Sequence, residues 1–413
     1  MVRDAFAVVR FLALAAVMIA AVSCPVLAEA PTDVPSGLAD AVARIFREDD
    51  PDRRKELLAG LSEHDAVPLA TLRAAIRGAR AYTGSAGLSE RTVRAAGTEV
   101  AFRIQVPREY EAAQSWPLIV SLEGLSTDAG ASLTSPVVSG LEGFLVASPE
   151  LPADDPDWPG YPKFSTCIDV FRAMLDDILR TWNVDPNRVF VTGLSQGGSF
   201  AWYLACFRGD RLGGAVAVAG FAPDHPDRPH LINLRNVPFY SIHGVKDRVT
   251  PVAVSRRPAA VLKEYGFKTF TYREISDAGH EWPQAEVPKV RSWLKAQRRD
   301  PAPTAVRYAN GYWQSEPPAR FFWVEIRRGG ALPVVEAEVR ENAIMATTKQ
   351  VRRVAFLLSE DLVDLSKEVS VTVNGKEAYR GVPARSARLA LESFLERWDE
   401  GAMVQAVVEV EGE

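Results

Sequence analysis

The chain has 413 residues, 47% of them hydrophobic and 24% charged, with a formal net charge of −5. That length allows two or three domains with substantial cores. Mild acidity without a basic tract argues against nucleic-acid binding, and three cysteines without a CxxC pair exclude a disulfide-dense scaffold and predict no metal site.

The first segment reads as a targeting signal. Arg3 and Arg10 precede an uncharged run, Phe11 to Ala28, that closes on small residues. A basic start, an apolar stretch and a small-residue end are what a signal peptidase recognises. Residues 1–28 are therefore expected to be a signal peptide, cut after Ala28 or Ala30, and the protein to be exported to the periplasm or the extracellular space. Ala21-Val22-Ser23-Cys24 also has the form of a lipobox, so a lipid anchor on Cys24 stays open as an alternative. So does an uncleaved membrane helix, for which a run of about 18 residues is barely long enough.

Residues 31–96 are expected to be a helical lead-in, with helices over Leu38–Arg47, Arg53–Leu61 and Leu69–Ala79. Their modest apolar stripes need a partner surface, expected on the domain that follows.

Residues 97–298 alternate strands and helices. Val100-Phe102-Ile104-Val106 has period two, and Pro117–Leu122, Gly143–Ala147, Val189–Thr192, Ala215–Ala219 and Phe239–Ile242 are short apolar runs. Such runs suit strands buried on both faces of a mostly parallel sheet. Helical segments lie between them at Ile168–Trp182, Gly197–Phe207, Pro251–Tyr265 and Val287–Gln297, which predicts an α/β fold with crossover connections.

Pro301, Pro303 and Pro317-Pro318 mark a linker, after which the pattern changes again. Phe321–Ile326, Val335–Val339, Val354–Leu358, Val369–Val373 and Val404–Val410 mostly alternate apolar with polar residues. Val369–Val373 runs into Asn374-Gly375, a tight-hairpin signal. Ser386–Trp398 reads as one helix with Ser386 as its N-cap. Residues 304–413 are expected to be a small, mainly β accessory domain, a sandwich.

The chemistry concentrates in Gly193-Leu194-Ser195-Gln196-Gly197-Gly198, which follows a buried strand and opens a helix. This is the context of a nucleophile elbow, where glycines let a serine sit on a cramped turn. The Gln196 N–H, at the helix start, is placed to meet developing negative charge. A serine hydroxyl needs a base, and the base needs an acid to hold it. Asp247 follows the strand Phe239–Ile242, and His280 follows a predicted strand, Thr269–Ile275, in the chain order Ser, acid, His. Of the five histidines, His243 ends a strand and reads as structural, which leaves His280 as the base. The second oxyanion donor is expected from the loop after an early strand, at the Leu125 N–H. Trp158, Tyr161 and Trp282 are candidates to line an acyl pocket.

These residues resemble the α/β-hydrolase superfamily, in particular secreted esterases of the polyhydroxybutyrate depolymerase and feruloyl esterase type. The likeness rests on Asp185-Pro186-Asn187-Arg188-Val189 before the elbow, Leu204-Ala205-Cys206 after it, His243-Gly244 with Asp247 and Pro251, and Gly279-His280-Glu281-Trp282-Pro283. It implies Ser195 as nucleophile, Asp247 as acid and His280 as base. Such enzymes usually carry His-Gly at the oxyanion loop, whereas this chain has Glu123-Gly124, and the C-terminal β domain is not generally shared. Cys167 and Cys206 are left as a disulfide or two buried thiols. The expectation is a secreted serine esterase acting through an acyl-enzyme on an ester, polymeric or not, without cofactor or metal. A serine peptidase on the same fold and an inactive surface-binding protein are the alternatives.

Overall fold

The computed structural model describes residues 33–122, 124, 129–153, 155, 163–223, 230–311 and 319–412. The signal segment and Cys24 lie outside them.

The lead-in helices form where expected. Helix α1 (Ser36–Arg47) buries Leu38, Val42 and Ile45, which share one face at helical spacing. Helix α2 (Pro51–Ala59) begins with proline and is capped by Asp50, whose carboxylate accepts from Arg53 N at 2.8 Å. Helix α3 (Leu69–Ala79) buries Leu69, Leu72, Ala75 and Ile76. The partner surface differs from the expectation. These apolar faces close on Ala387, Ala390, Leu391 and Phe394, which belong to a helix near the C-terminus of the chain.

The expected helical lead-in also ends earlier than residue 96, because Gly87–Ala95 is strand β1. It pairs antiparallel with β2 (Thr98–Val106) across Ala96-Gly97, both at positive φ. Strand β1 is an edge strand, so little of it is buried and its composition is polar. Arg91, for example, reaches Asp177 at 2.6 Å. An edge strand of that kind lacks the apolar alternation that marks β2.

The remaining strands of this sheet are β3 (Trp116–Leu122), β4 (Leu145–Pro149), β5 (Val184–Leu194), β6 (Gly214–Val218), β7 (Phe239–Gly244) and β8 (Phe270–Ile275), in the order β1-β2-β4-β3-β5-β6-β7-β8. From β4 to β8 all neighbours are parallel. The short helix α4 (Ala129–Ser132) follows β3, and longer helices α5 (Phe164–Thr181), α6 (Gln196–Arg208), α7 (Ala253–Glu264) and α8 (Val287–Ala296) flank the sheet. One core cluster joins α5 and α6 to one face through Phe171, Met174, Phe200 and Trp202. A second joins α8 to the other through Val290 and Leu294. Cys167 and Cys206 are both buried in the first of these cores.

In the C-terminal region β9 (Ala305–Ala309), β10 (Arg320–Phe321), β11 (Val324–Arg340), β12 (Ala343–Leu358), β13 (Val369–Val373), β14 (Lys376–Gly381) and β15 (Ala406–Glu411) form one hydrogen-bonded network of seven strands. The region is mainly β, as expected, and its strands join through one long hairpin, β11–β12. One half of β12 pairs with β13 and the other half with β15, and register shifts between Ile326 and Val334 bend its partner β11. Apolar sequence runs alone do not reveal that two of them belong to one strand. The Asn374-Gly375 turn joins β13 to β14 with both residues at positive φ, as the hairpin motif requires. Helix α9 (Ala387–Arg397) is capped by Ser386, which accepts from Leu389 N at 3.2 Å.

Buried ion pairs tie this region to the α/β sheet. Arg397 pairs with Asp210, and Arg299 lies 2.7 Å from Asp399. Lead-in, sheet and β region together form one compact unit, Val34–Glu413.

Candidate active site

Ser195 lies between the last residue of β5 and the first of α6, at φ 60° and ψ −117°. A non-glycine residue in this region is strained and persists only where its surroundings hold it. Here the Ser195 N–H donates to Val218 O on β6 at 2.8 Å. A Cβ on Gly193 would run into the Gly197 backbone, and one on Gly220 would run into Gly198 and Ser199. The turn is therefore closed by a glycine on β5 and another just past the end of β6. Sequence reasoning identified Gly193 and Gly197 but missed Gly220, whose only signal is its place just after β6. Ser199 also adds support, donating to Ser195 O at 3.2 Å and accepting from Phe221 N at 3.1 Å.

Gln196 is the first residue of α6, so its N–H falls among the helix-start amides that have no carbonyl four residues back. A negative charge forming beside Ser195 would face this end of the helix dipole.

Asp247 and His280 meet at the same end of the sheet. His280 Nδ1 lies 2.8 Å from Asp247 Oδ2, while Asp247 Oδ1 accepts from Val249 N and Thr250 N, each at 2.8 Å. The two loops are joined by backbone: Val245 N donates to Ile275 O at 2.8 Å and Lys246 N to Ala278 O at 2.9 Å. Gly244 makes this approach feasible, because a Cβ there would overlap Ala278 and Gly279. Burial alone would raise the Asp247 pKa, but the hydrogen bonds from His280, Thr250 and Val249 outweigh it and hold the carboxyl below its ordinary value. An anionic acid bonded to Nδ1 fixes the His280 ring so that Nε2 is its free nitrogen, the arrangement of a base held by an acid.

Among the described residues no hydrogen bond joins Ser195 Oγ to His280. Such bonds are often long or absent in ligand-free sites and tighten with substrate.

His243 is fully buried and its ring is satisfied, as expected for a structural histidine: Nδ1 lies 2.7 Å from Ser255 Oγ and Nε2 lies 2.8 Å from Thr250 O. Trp282, expected at an acyl pocket, is only 8% exposed and packs instead into the core cluster with Val137, Leu141 and Val290. It anchors the His280 loop to the sheet. Leu125, Glu123, Trp158 and Tyr161 lie outside the described residues. Among the described residues no group of side chains is arranged to hold a metal ion, and no helix is long and apolar enough to cross a membrane.

Residues 163–298 match the family model of phospholipases and carboxylesterases. Over 133 residues the chain is 18% identical to acyl-protein thioesterase 1 of Debaryomyces hansenii, covering 32% of this chain and 57% of the relative. Over 130 residues it is 25% identical to the carboxylesterase SOBER1 of Arabidopsis thaliana, covering 30% of this chain and 54% of the relative. A crystal structure of a thermostable esterase matches with a TM-score of 0.42 at 23% identity, covering 51% of this chain and 63% of that one. The chain thus spans between a half and two thirds of the length of these proteins. The strand order, the strained serine turn and the family match give the α/β unit the α/β-hydrolase fold. The finer likeness to polyhydroxybutyrate depolymerases has no counterpart among these relatives.

Proposed function

We propose that the protein is a serine hydrolase of carboxylic esters, with Ser195 as nucleophile, His280 as general base and acid, and Asp247 as the group that orients and stabilises the imidazolium. The observation that carries this reading is the 2.8 Å bond between His280 Nδ1 and the buried Asp247 carboxylate, at the sheet end where Ser195 occupies its strained turn. In the reaction, Ser195 Oγ adds to the ester carbonyl as His280 Nε2 takes its proton. The tetrahedral oxyanion sits at the Gln196 N–H and at a second backbone donor assigned to Leu125. Collapse transfers the proton from His280 to the departing alkoxide and leaves an acyl-serine. Water, deprotonated by His280, then attacks the acyl-serine; collapse releases the acid and returns the proton to Ser195.

The thioesterase among the relatives favours a second substrate class, thioesters, on the same machinery. Export rests on the basic and apolar pattern of residues 1–28, which supports a protein working outside the cytoplasm.

A fluorophosphonate probe tests the assignment. The expected result is a covalent adduct mapped by mass spectrometry to Ser195 and absent from Ser195→Ala of unchanged melting temperature. No adduct on the folded wild-type protein, or an adduct elsewhere, overturns it. Comparing p-nitrophenyl esters with acyl thioesters ranks the two substrate classes.

A further inference from the structure

Asp247 Oδ2 faces two imidazoles. His280 Nδ1 lies 2.8 Å away, and on the other side His243 Nε2 lies 3.3 Å away with both side chains fully buried. The tautomer of His243 follows from its partners. Thr250 O, 2.8 Å from Nε2, is a carbonyl and can only accept, so Nε2 carries the proton. In the neutral ring Nδ1 is then the acceptor, and the Ser255 hydroxyl 2.7 Å away donates to it. The Nε2–H therefore points into the space between Thr250 O and Asp247 Oδ2.

We propose that His243 is a positioning residue for the acid: its Nε2–H, shared between Thr250 O and Asp247 Oδ2, holds the carboxylate in the rotation that presents Oδ2 to His280. This inference rests on the assignment of Asp247 and His280 made above. The Val249 and Thr250 amides grip only Oδ1, which leaves the Oδ2 side to be set by the two rings. The ring of His243 is fixed from behind. Ser255 Oγ also lies 3.3 Å from Gly220 O, and Gly220 packs against Gly198 and Ser199 on the helix that carries the nucleophile turn. Packing contacts thus reach from that turn to Ser255, and hydrogen bonds continue from Ser255 through His243 to Asp247 and His280. The other charged groups beside His243 are spoken for: Glu274 lies opposite it in the β7–β8 register and is paired with Arg256.

The test uses His243→Gln, which keeps a donor near the Nε2 position, His243→Leu, which removes it, and Ser255→Ala, which frees Nδ1. The readouts are ester hydrolysis and the low-field proton resonance of the His280 Nδ1–H bond. For His243→Leu the expected result is a fall in kcat of about tenfold with KM unchanged, and a shifted or broadened low-field resonance. His243→Gln should recover most of kcat, and Ser255→Ala should fall between them. An active wild type together with a folded His243→Leu of normal kcat and unmoved resonance overturns the inference while leaving the assignment of the base and acid intact. If His243→Leu does not fold, Ser255→Ala decides by the same two readouts. A wild type that neither labels nor hydrolyses fails the underlying assignment instead. The resonance still reports on the acid in that case, since it needs no substrate.

Discussion

Arg299 and Asp399 form an ion pair of 2.7 Å with side chains 1% and 0% exposed, between the end of the α/β domain and the end of α9. Arg299 also donates to Asn187 Oδ1 and Asp210 O, so one guanidinium joins a strand of the sheet to the β region. Removing one partner of a buried pair leaves the other charge uncompensated. Asp399→Ala should therefore lose roughly 3–5 kcal/mol of stability, whereas Arg299→Met with Asp399→Leu should regain part of it. Urea denaturation of the variants measures both, and an Asp399→Ala protein as stable as wild type would rule the pair out as a support.

The same network sets an acid limit. Burial would raise the Asp399 carboxyl, but Arg299, Arg211 and Arg397 outweigh it and hold its pKa well below the ordinary value. A depressed carboxyl contributes stability that is full above its unfolded pKa of about 3.9 and is lost as pH falls from there through the folded value. The stability of wild type should therefore drop more steeply between about pH 4 and 2 than that of Asp399→Asn. Melting temperatures across that range would show it, and parallel curves would contradict it.

Gly244 is the contact point between the acid loop and the base loop. Gly244→Ala adds a methyl group against the Ala278 and Gly279 backbone, which cannot yield without moving His280. A displacement of about 1 Å at the base should cost on the order of 10²-fold in kcat. Stopped-flow acylation by a p-nitrophenyl ester would detect the loss; an unaffected rate would mean the loops tolerate separation.

Asp247→Asn keeps the shape of the acid but removes its charge and favours the wrong histidine tautomer. A loss of ~10⁴-fold in kcat is expected, with the fold retained. A loss of only a few-fold would point to another carboxylate as the partner of His280.

Much of the site was legible because it depends on local order: strand, cramped serine turn, helix, then an acid and a histidine each just past a strand. The elements 116–122, 184–194, 239–244 and 270–275 lie where the apolar runs place them, since strands buried on both faces need little beyond hydrophobicity and β-branching. What escaped depends on distant partners. Strand β1 hides behind a polar edge composition, Trp282 is core rather than pocket because a side chain's direction is not in its spacing, and the length of β11 is hidden because two separate apolar runs share it. The support from Gly220 and Ser255 could not be read, because neither is near Ser195 or Asp247 in a recognisable motif.

The lead-in and the C-terminal region also cap each other's helices. The Ala387 N–H at the start of α9 donates to Asp65 at 2.7 Å, and the Leu69 N–H at the start of α3 donates to Glu360 at 2.7 Å. The first of these bonds spans 322 residues. During synthesis the N-terminal helices emerge long before the surface that covers them exists, and short helices are marginal alone. They must wait, with Leu38, Leu72 and Ile76 open to solvent, until α9 has been made. The folding of the chain's beginning is thus the closing of a clasp, and a chain cut short before α9 would leave the lead-in unfastened.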